Sequence, residues 1–375
     1  NYDFNRYLNL IYADVVKNWG AFNAEIGIQA EFSHFKMDEF SPSWINDPYW
    51  QGIKGKENKS SRFHLYPRSR FTYEVNKSNR LSLSYQQRAI RPNGSYLCSF
   101  LNNSDPTHII QGNPDLKWET TTQTNIGLDF GFFNQKLYGT AEYYIKKTKD
   151  ILVQPPYLGI IGEGGYCWYN GASMENKGFE VSLGYRDQTP FGLSYDISGN
   201  ISGYRNKVTE LPADVENSYG GNGKGDNILG RPINSFYGYI ADGLFRTEED
   251  IAKHATQNGG EGLGRIRYRD LNEDGKIDED DRTWIGSPHP DFMYGLNIEL
   301  SYKNFDLSAF FYGVNGIDVN TYAVKSETDF WSINDVRSNK GTRLLDAWSP
   351  TNPDSNIPAI TALNANDEGR MSTYF

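Results

Sequence analysis

No run of about 18 consecutive apolar residues occurs in this 375-residue chain, and its mean hydropathy is −0.65, so membrane-crossing helices are excluded. Cysteine is almost missing. Cys98 and Cys167 are the only two, both in long connecting segments, and two thiols so far apart make no disulfide framework. Positive charge is in the minority, 37 Lys and Arg against 47 Asp and Glu, a net charge of −10. Nucleic acid calls for clustered cations, so it is not an expected partner. The five histidines (His34, His64, His108, His254 and His289) are scattered without an HExxH pair, and no GxSxG elbow occurs, so no hydrolase chemistry is expected. The glycine-rich stretches Gly220–Gly225 and Gly259–Gly264 do not lead from a strand into a helix. The first has no Ser or Thr after Lys224, so both read as surface loops rather than phosphate cradles.

What the chain does have is aromatic side chains, 15% of all residues with 26 Tyr, and paired alternating segments. Five pairs stand out: Tyr7–Val16 with Ala21–Phe35, Arg62–Val75 with Arg80–Arg88, Thr120–Phe132 with Lys136–Thr148, Gly178–Arg186 with Gly192–Tyr204, and Phe292–Tyr302 with Phe305–Tyr312. Within pairs the turns are short; between pairs the connections are long, the largest from Arg205 to Asp291. Side chains of a strand alternate between faces, so Phe179, Val181, Leu183 and Tyr185 share one face while Glu180, Ser182 and Gly184 share the other. A soluble sandwich would alternate in the same way. Segments of 9–14 residues, short turns on one side only, and rings near strand ends (Tyr143, Tyr185, Tyr204, Tyr294, Tyr302) favour a transmembrane antiparallel β-barrel with long extracellular loops. On the wet face, Glu142, Lys146, Glu180, Arg186 and Asp196 are expected to point into the lumen. The last sixty or so residues show little alternation, and the chain reads as part of a larger barrel cut at both ends, its export signal included.

The sharpest local chemistry lies at 270–281. Asp270, Asn272, Asp274, Asp278 and Asp281 fall at positions one, three, five, nine and twelve of an EF-hand-like loop, with Gly275 at six and the Lys276 carbonyl at seven. Hard oxygen donors in this number suit Ca²⁺ better than Mg²⁺, and a structural role is expected, stiffening a long loop that is otherwise costly to order. Asp281 stands where Glu is usual, which shortens the last ligand. The rival reading is a solvated Asp/Asn/Gly turn. Thr247–Thr256 reads as a short helix capped by Thr247 with acids in its first turn, inside the 205–291 connection. Loop aromatics are candidate cargo contacts: Tyr157, Tyr166, Trp168 and Tyr169 in one connection, Phe330 and Trp331 in another, and Trp44, Tyr49 and Trp50 in the first. Loop-on-loop packing explains them equally well.

From residue 112 onward the chain resembles the SusC/RagA-like TonB-dependent outer-membrane transporters of the Bacteroidetes. The resemblance rests on Gly112-Asn113-Pro114-Asp115-Leu116-Lys117-Trp118-Glu119, Thr124–Phe130, Tyr143–Asp150, Met174–Glu180, Asp270–Gly286 and Tyr302–Leu307, about two thirds of the chain. Residues 1–111 resemble TonB-dependent receptor barrels in general, through Leu81–Arg88 and Arg91-Pro92. The resemblance implies a barrel of about 22 strands around an N-terminal plug. It implies a place in the Gram-negative outer membrane among lipids and lipopolysaccharide, energy from TonB–ExbB–ExbD, a SusD-like surface lipoprotein, oligosaccharide or peptide cargo, and no bond chemistry. All 375 residues would belong to one barrel domain, with 205–291 an extracellular loop. A siderophore or vitamin receptor without a lipoprotein, and a calcium-stiffened all-β surface adhesin, are the alternatives.

Overall fold

The computed structural model describes residues 2–39, 58–97, 101–102, 109–111, 113–153, 165–212, 228–257, 260–320, 342–360 and 372–373. Trp44, Tyr49, Trp50, Cys98, His108, Tyr157, Gly220–Gly225, Gly259, Phe330 and Trp331 lie outside them.

Ten strands form one antiparallel sheet: β1 (Tyr2–Trp19), β2 (Phe22–Glu39), β3 (Asn58–Asn76), β4 (Asn79–Ile90), β5 (Glu119–Phe132), β6 (Leu137–Val153), β7 (Tyr169–Gln188), β8 (Ser194–Glu210), β9 (Phe292–Tyr302) and β10 (Phe305–Asn315). Their order across the sheet is their order along the chain. The expected pairs are all present, and they make a single layer rather than two stacked ones. Among the described residues β1 and β10 are the sheet's edges.

The turns follow from residue chemistry. Gly20 supplies the positive φ (+60°) that closes β1 onto β2, and Gly192 (φ +92°) does so between β7 and β8, where Thr189 N–H and Oγ1 both bond the Leu193 carbonyl. Phe133, Asn134 and Gln135 all take left-handed backbone between β5 and β6.

Strands run 11–20 residues, most of them longer than their alternation suggested, while β9 keeps its expected bounds. The extra length lies at the ends away from the turns. β7 starts at Tyr169 rather than Gly178, and β8 continues to Glu210. There both faces carry polar residues such as Asn170, Ser173 and Asn176, so the period-two signal disappears while backbone pairing continues.

The chain divides into two compact units. The sheet lies in the first. The second takes residues 232–289 and 317–375, together with 219–228. It has its own core of Tyr239, Leu244, Ile266, Tyr268, Ile277 and Trp348, built on the short pairs Phe236–Gly238 with Thr283–Gly286 and Ala241–Leu244 with Ile266–Tyr268. Its helix covers Glu248–Lys253, with Thr247 as N-cap in a capping box with Asp250. It stops three residues before the expected Thr256, because Thr256 pairs with Lys276 instead.

Candidate functional site

The sheet is two-faced. One cross-strand row runs Phe71, Leu83, Ile126, Tyr143, Phe179 over β3–β7, and the next runs Tyr73, Leu81, Leu128, Ala141, Val181, Ile201, Tyr294 over β3–β9. Most of these side chains are large, apolar and exposed: Ile126 is 57% and Tyr294 50% accessible. The opposite face carries Thr72, Ser82, Gly127, Glu142, Glu180 and Ser202 in a single row. Among the described residues no second layer covers the oily face, as a soluble sandwich would require. Leaving it in water costs roughly 25 cal/mol for each Å² of apolar surface, so its natural solvent is hydrocarbon.

The five residues assigned to the lumen all fall on the wet face. Glu142 stands opposite Glu180, Lys146 opposite Asn176, and Arg186 opposite Asp196. The Tyr138 hydroxyl donates to Asp196 Oδ1 at 2.6 Å, and the Arg186 guanidinium lies 4.9 Å from the centre of the Tyr138 ring. Near the short turns this face has a cavity of ≈ 540 Å³ lined by Lys136, Arg186, Asp187, Asp196, Glu299 and Asp306. A smaller one of ≈ 330 Å³ is lined by Tyr12, Gln29, Tyr66, Arg68, Gln86 and Arg88, with Arg68 Nε bonded to Asp14 at 3.0 Å. The smaller cavity's wall of charge, amide and hydroxyl suits a hydrated, polar group, while the larger one also presents Tyr195, Leu300 and Leu307.

Toward the long-loop ends the Asn113–Trp118 segment folds onto the wet face. Leu116 is fully buried with Leu97 and Phe35, and Trp118 stacks on His64 with centroids 4.1 Å apart. Arg62 donates to the carbonyls of Pro114 (2.8 Å) and Leu116. Asn170 closes the segment from β7, accepting from Lys117 N–H at 2.6 Å and donating to the Lys117 carbonyl at 3.0 Å. Beneath lies Glu31, fully buried, which receives Arg91 Nε at 2.8 Å and Nη2 at 2.6 Å. The Asn113-to-Glu119 motif therefore serves as a clamp that holds a long loop against the wall. Sequence reasoning saw the motif and gave it no physical role.

Of the aromatic cargo candidates, Trp168 is half-buried and stacked on Tyr96 at 4.3 Å, with its carbonyl taking the Asn113 amide. Tyr169 is an exposed residue at the start of β7, opposite Val153. Tyr166 lies in the strand Gly165–Cys167, parallel to Ile109–Gln111. Tyr157, Phe330 and Trp331 are among the residues outside the description.

In the 270–281 loop the oxygens turn onto the loop's own N–H groups. Asp270 Oδ2 accepts from Gly275, Asn272 Oδ1 from Asp274, Asp274 Oδ1 from Lys276, and Asp278 Oδ1 from Asp280, all at 2.8–3.0 Å. Gly275 has φ +82°, as its place in the loop demands. Asp281 is fully buried and spans the loop ends, with Oδ1 on Leu271 N–H and Oδ2 on Asp278 N–H, both at 2.8 Å. Ile277 drops into the core of this unit, and Thr256 bonds the Gly275 carbonyl and the Ile277 N–H beside it. Asp270 Oδ1 is shut from solvent without a hydrogen-bond partner. Among the described residues no three or more His, Cys, Asp or Glu side chains are gathered as a metal-holding group.

The model of the outer membrane protein beta-barrel family matches residues 1–235. The chain belongs to that family. TonB-dependent receptor P3 of Formosa agariphila is 33% identical over 257 residues, covering 66% of this chain and 25% of the relative. TonB-dependent receptor SusC of Bacteroides thetaiotaomicron is 26% identical over 371 residues, 95% of this chain and 32% of SusC. In fold it resembles the RagAB peptide transporter, with a TM-score of 0.59 at 19% identity over 95% of this chain and 46% of that one. The chain thus spans about a quarter to a third of the curated relatives it matches. Its kinship is with SusC/RagA-like TonB-dependent receptors, which places it in the outer membrane of Gram-negative cells.

Proposed function

We propose that this chain is part of the wall of a TonB-dependent importer that takes oligosaccharides or peptides across the outer membrane. A SusD-like lipoprotein closes over its mouth, and TonB–ExbB–ExbD supplies the energy through a part of the protein outside these residues. The observation that carries the reading is the single ten-stranded sheet with an exposed oily face and a polar inner face, in a chain whose relatives are TonB-dependent receptors. The polar inner row, with Ser82, Glu142, Glu180 and Ser202, favours cargo rich in hydroxyl and amide groups over an apolar one. The protein's work is capture, conduction and release, with no bond made or broken. Tyr157, Tyr166, Trp168 and Tyr169 in one connection and Phe330 and Trp331 in another are proposed cargo contacts.

The test uses the full-length receptor. Pull-down from detergent-solubilised outer membranes should bring a surface lipoprotein in near-equal amount, and deletion of the gene should abolish TonB-dependent growth on one class of oligosaccharide or peptide. A receptor that purifies alone and restores growth on an iron chelate would replace this reading with that of a siderophore receptor. A protein that stays monodisperse without detergent would favour the adhesin.

We also propose that the 270–281 loop binds Ca²⁺. Asp270, Asn272, Asp274, Asp278 and Asp281 with the Lys276 carbonyl would hold it, and Mg²⁺ would be held less well. The closed-off Asp270 Oδ1 supports this, since a buried carboxylate oxygen without a donor is costly unless a cation satisfies it. Bound calcium would supply structural stiffness to the loop and no chemistry.

A further inference from the structure

The smaller inner-face cavity, ≈ 330 Å³, is built on two cross-strand rows. One runs Asp14, Gly27, Arg68, Gln86 from β1 to β4; the next runs Tyr12, Gln29, Tyr66 from β1 to β3, and Arg88 of β4 lines the same cavity. Gly27 lets the first row lie flat. A Cβ built there would meet Asp14 Oδ1 at 1.9 Å and Arg68 Nε at 2.6 Å, so the ion pair crosses β2 directly over bare backbone. Asp14 takes Arg68 Nε at 3.0 Å and Nη2 at 2.5 Å, and Nη1 is left outside that pairing.

Arg88 is the uncompensated charge. It is exposed, and its opposite neighbour on β5 is Thr121. Among the described residues its guanidinium bonds Gln86 Oε1 at 3.1 Å and no carboxylate. The acids around it are engaged elsewhere: Asp14 holds Arg68, Glu31 holds Arg91, and Glu119, beyond Thr121, accepts the Leu152 N–H at 2.9 Å. Glu25 stands opposite Arg70, two residues nearer the turn than Gly27. Gln86, its oxygen given to Arg88, offers its amide nitrogen, while Gln29 brings a second amide and Tyr12 a hydroxyl. The first row continues over Gln123, Lys146, Asn176 and Asn206, again with no carboxylate. Donors are in surplus on this wall, and the one acid among them is already committed.

We infer that this cavity on the inner face of β1–β4 is a subsite for a carboxylate group of the cargo, with Arg88 as its cation and Tyr12, Gln29, Arg68 and Gln86 around it. Such a subsite rests on the import reading and narrows the cargo to acidic chains. A guanidinium fork takes both oxygens of a carboxylate at once, and an acceptor-only anion is the partner that a ring of unused donors lacks. An acidic sugar and an acidic peptide residue present the same planar group.

The test takes the full-length receptor in an uncharged detergent and measures calorimetric binding of trigalacturonate and its methyl ester, and of triglutamate and triglutamine peptides. In one of the two pairs the acid should bind more tightly than its neutral counterpart, which names the source of the carboxylate. A hydrogen-bonded charge pair is worth about 10- to 100-fold in affinity. Arg88→Gln should weaken binding of the acid by that factor and leave the neutral counterpart unchanged. Arg88→Lys, which keeps the charge without the fork, should fall between the two. Arg70→Gln removes the same charge from the same wall outside the cavity and should match wild type. Raising the salt should narrow the acid's advantage. Heat-modifiable migration on gels confirms that each variant is folded. Equal affinity for acid and neutral probe in both pairs, a folded Arg88→Gln that binds like wild type, or an equal loss in Arg70→Gln overturns the proposal. So does failure of both acids to bind; a lower unfolding midpoint in Arg88→Gln would then show that a carboxylate from the rest of the protein fills the cavity. TonB-dependent growth of the same strains on neutral cargo separates this failure from failure of the import reading.

Discussion

Truncating Arg91 to alanine should open the loop clamp without disturbing the wall. Glu31 has no accessible surface, and Arg91 donates to both of its oxygens. Removing the guanidinium strands a buried carboxylate, which costs about 3–5 kcal/mol. The same guanidinium lies 5.2 Å from the centre of the Trp118 ring, and that contact is worth ~0.5–2 kcal/mol. A tenfold change corresponds to about 1.4 kcal/mol, so the equilibrium that holds Asn113–Trp118 against the wall should shift by at least two orders of magnitude. The reverse change, Glu31→Gln, leaves an arginine whose side chain is 31% exposed and reaches water, so its cost should be nearer 1–3 kcal/mol. Hydrogen exchange on the full-length receptor reads this directly. In Arg91→Ala the amides of Leu116, Lys117 and Trp118 should lose ~100-fold protection or more, while the β9–β10 hairpin keeps its own. Unchanged protection at Lys117, or a larger loss in Glu31→Gln than in Arg91→Ala, would refute the argument that the buried carboxylate is the costly group.

Other perturbations test other links. Leu183→Arg on the oily face should cost about 2–4 kcal/mol near the bilayer midplane, seen as a lower unfolding midpoint on heat-modifiable gels, whereas Asn200→Arg on the wet face of β8 should leave that midpoint unchanged. Asp274→Ala should abolish the calorimetric Ca²⁺ signal and raise protease nicking between residues 260 and 285; unchanged metal content would remove the calcium proposal. Thr247→Ala should destabilise the Glu248–Lys253 helix by ~1 kcal/mol, read by exchange at Asp250 and Ile251. In the same cap, the Thr247 hydroxyl and then the Thr247 and Arg246 N–H groups hold the Asp250 carboxyl below its ordinary value. Its contribution is therefore complete above the unfolded value of about 3.9 and fades as pH falls through the lowered native one. Asp250→Asn should erase that acid dependence; an unchanged acid midpoint would show the carboxylate to be a bystander.

Which parts of this protein can be read from its residues depends on what each residue answers to. The strands were legible where one face meets lipid and the other water, because solvent contrast writes itself as period two; Phe179–Tyr185 shows it plainly. Above that band the contrast vanishes and so does the signal, although Asn170–Asn176 and Arg205–Glu210 still pair, through register shifts at Ala172 and Ser173. The Thr247 cap was legible because capping is local, satisfied within three residues. The second unit's core was not. Trp348 joins Tyr239, Ile266 and Ile277 from about 70 residues further along the chain, with no periodicity to announce it. The clamp falls between these cases. Its motif is dense in unusual residues because nearly every one has a fixed partner: Leu116 a pocket, Trp118 a ring, Asn113 and Lys117 the backbone or side chain of β7's approach. Those partners sit at positions 35, 62, 64, 168 and 170, so a single sequence shows the lock without its key.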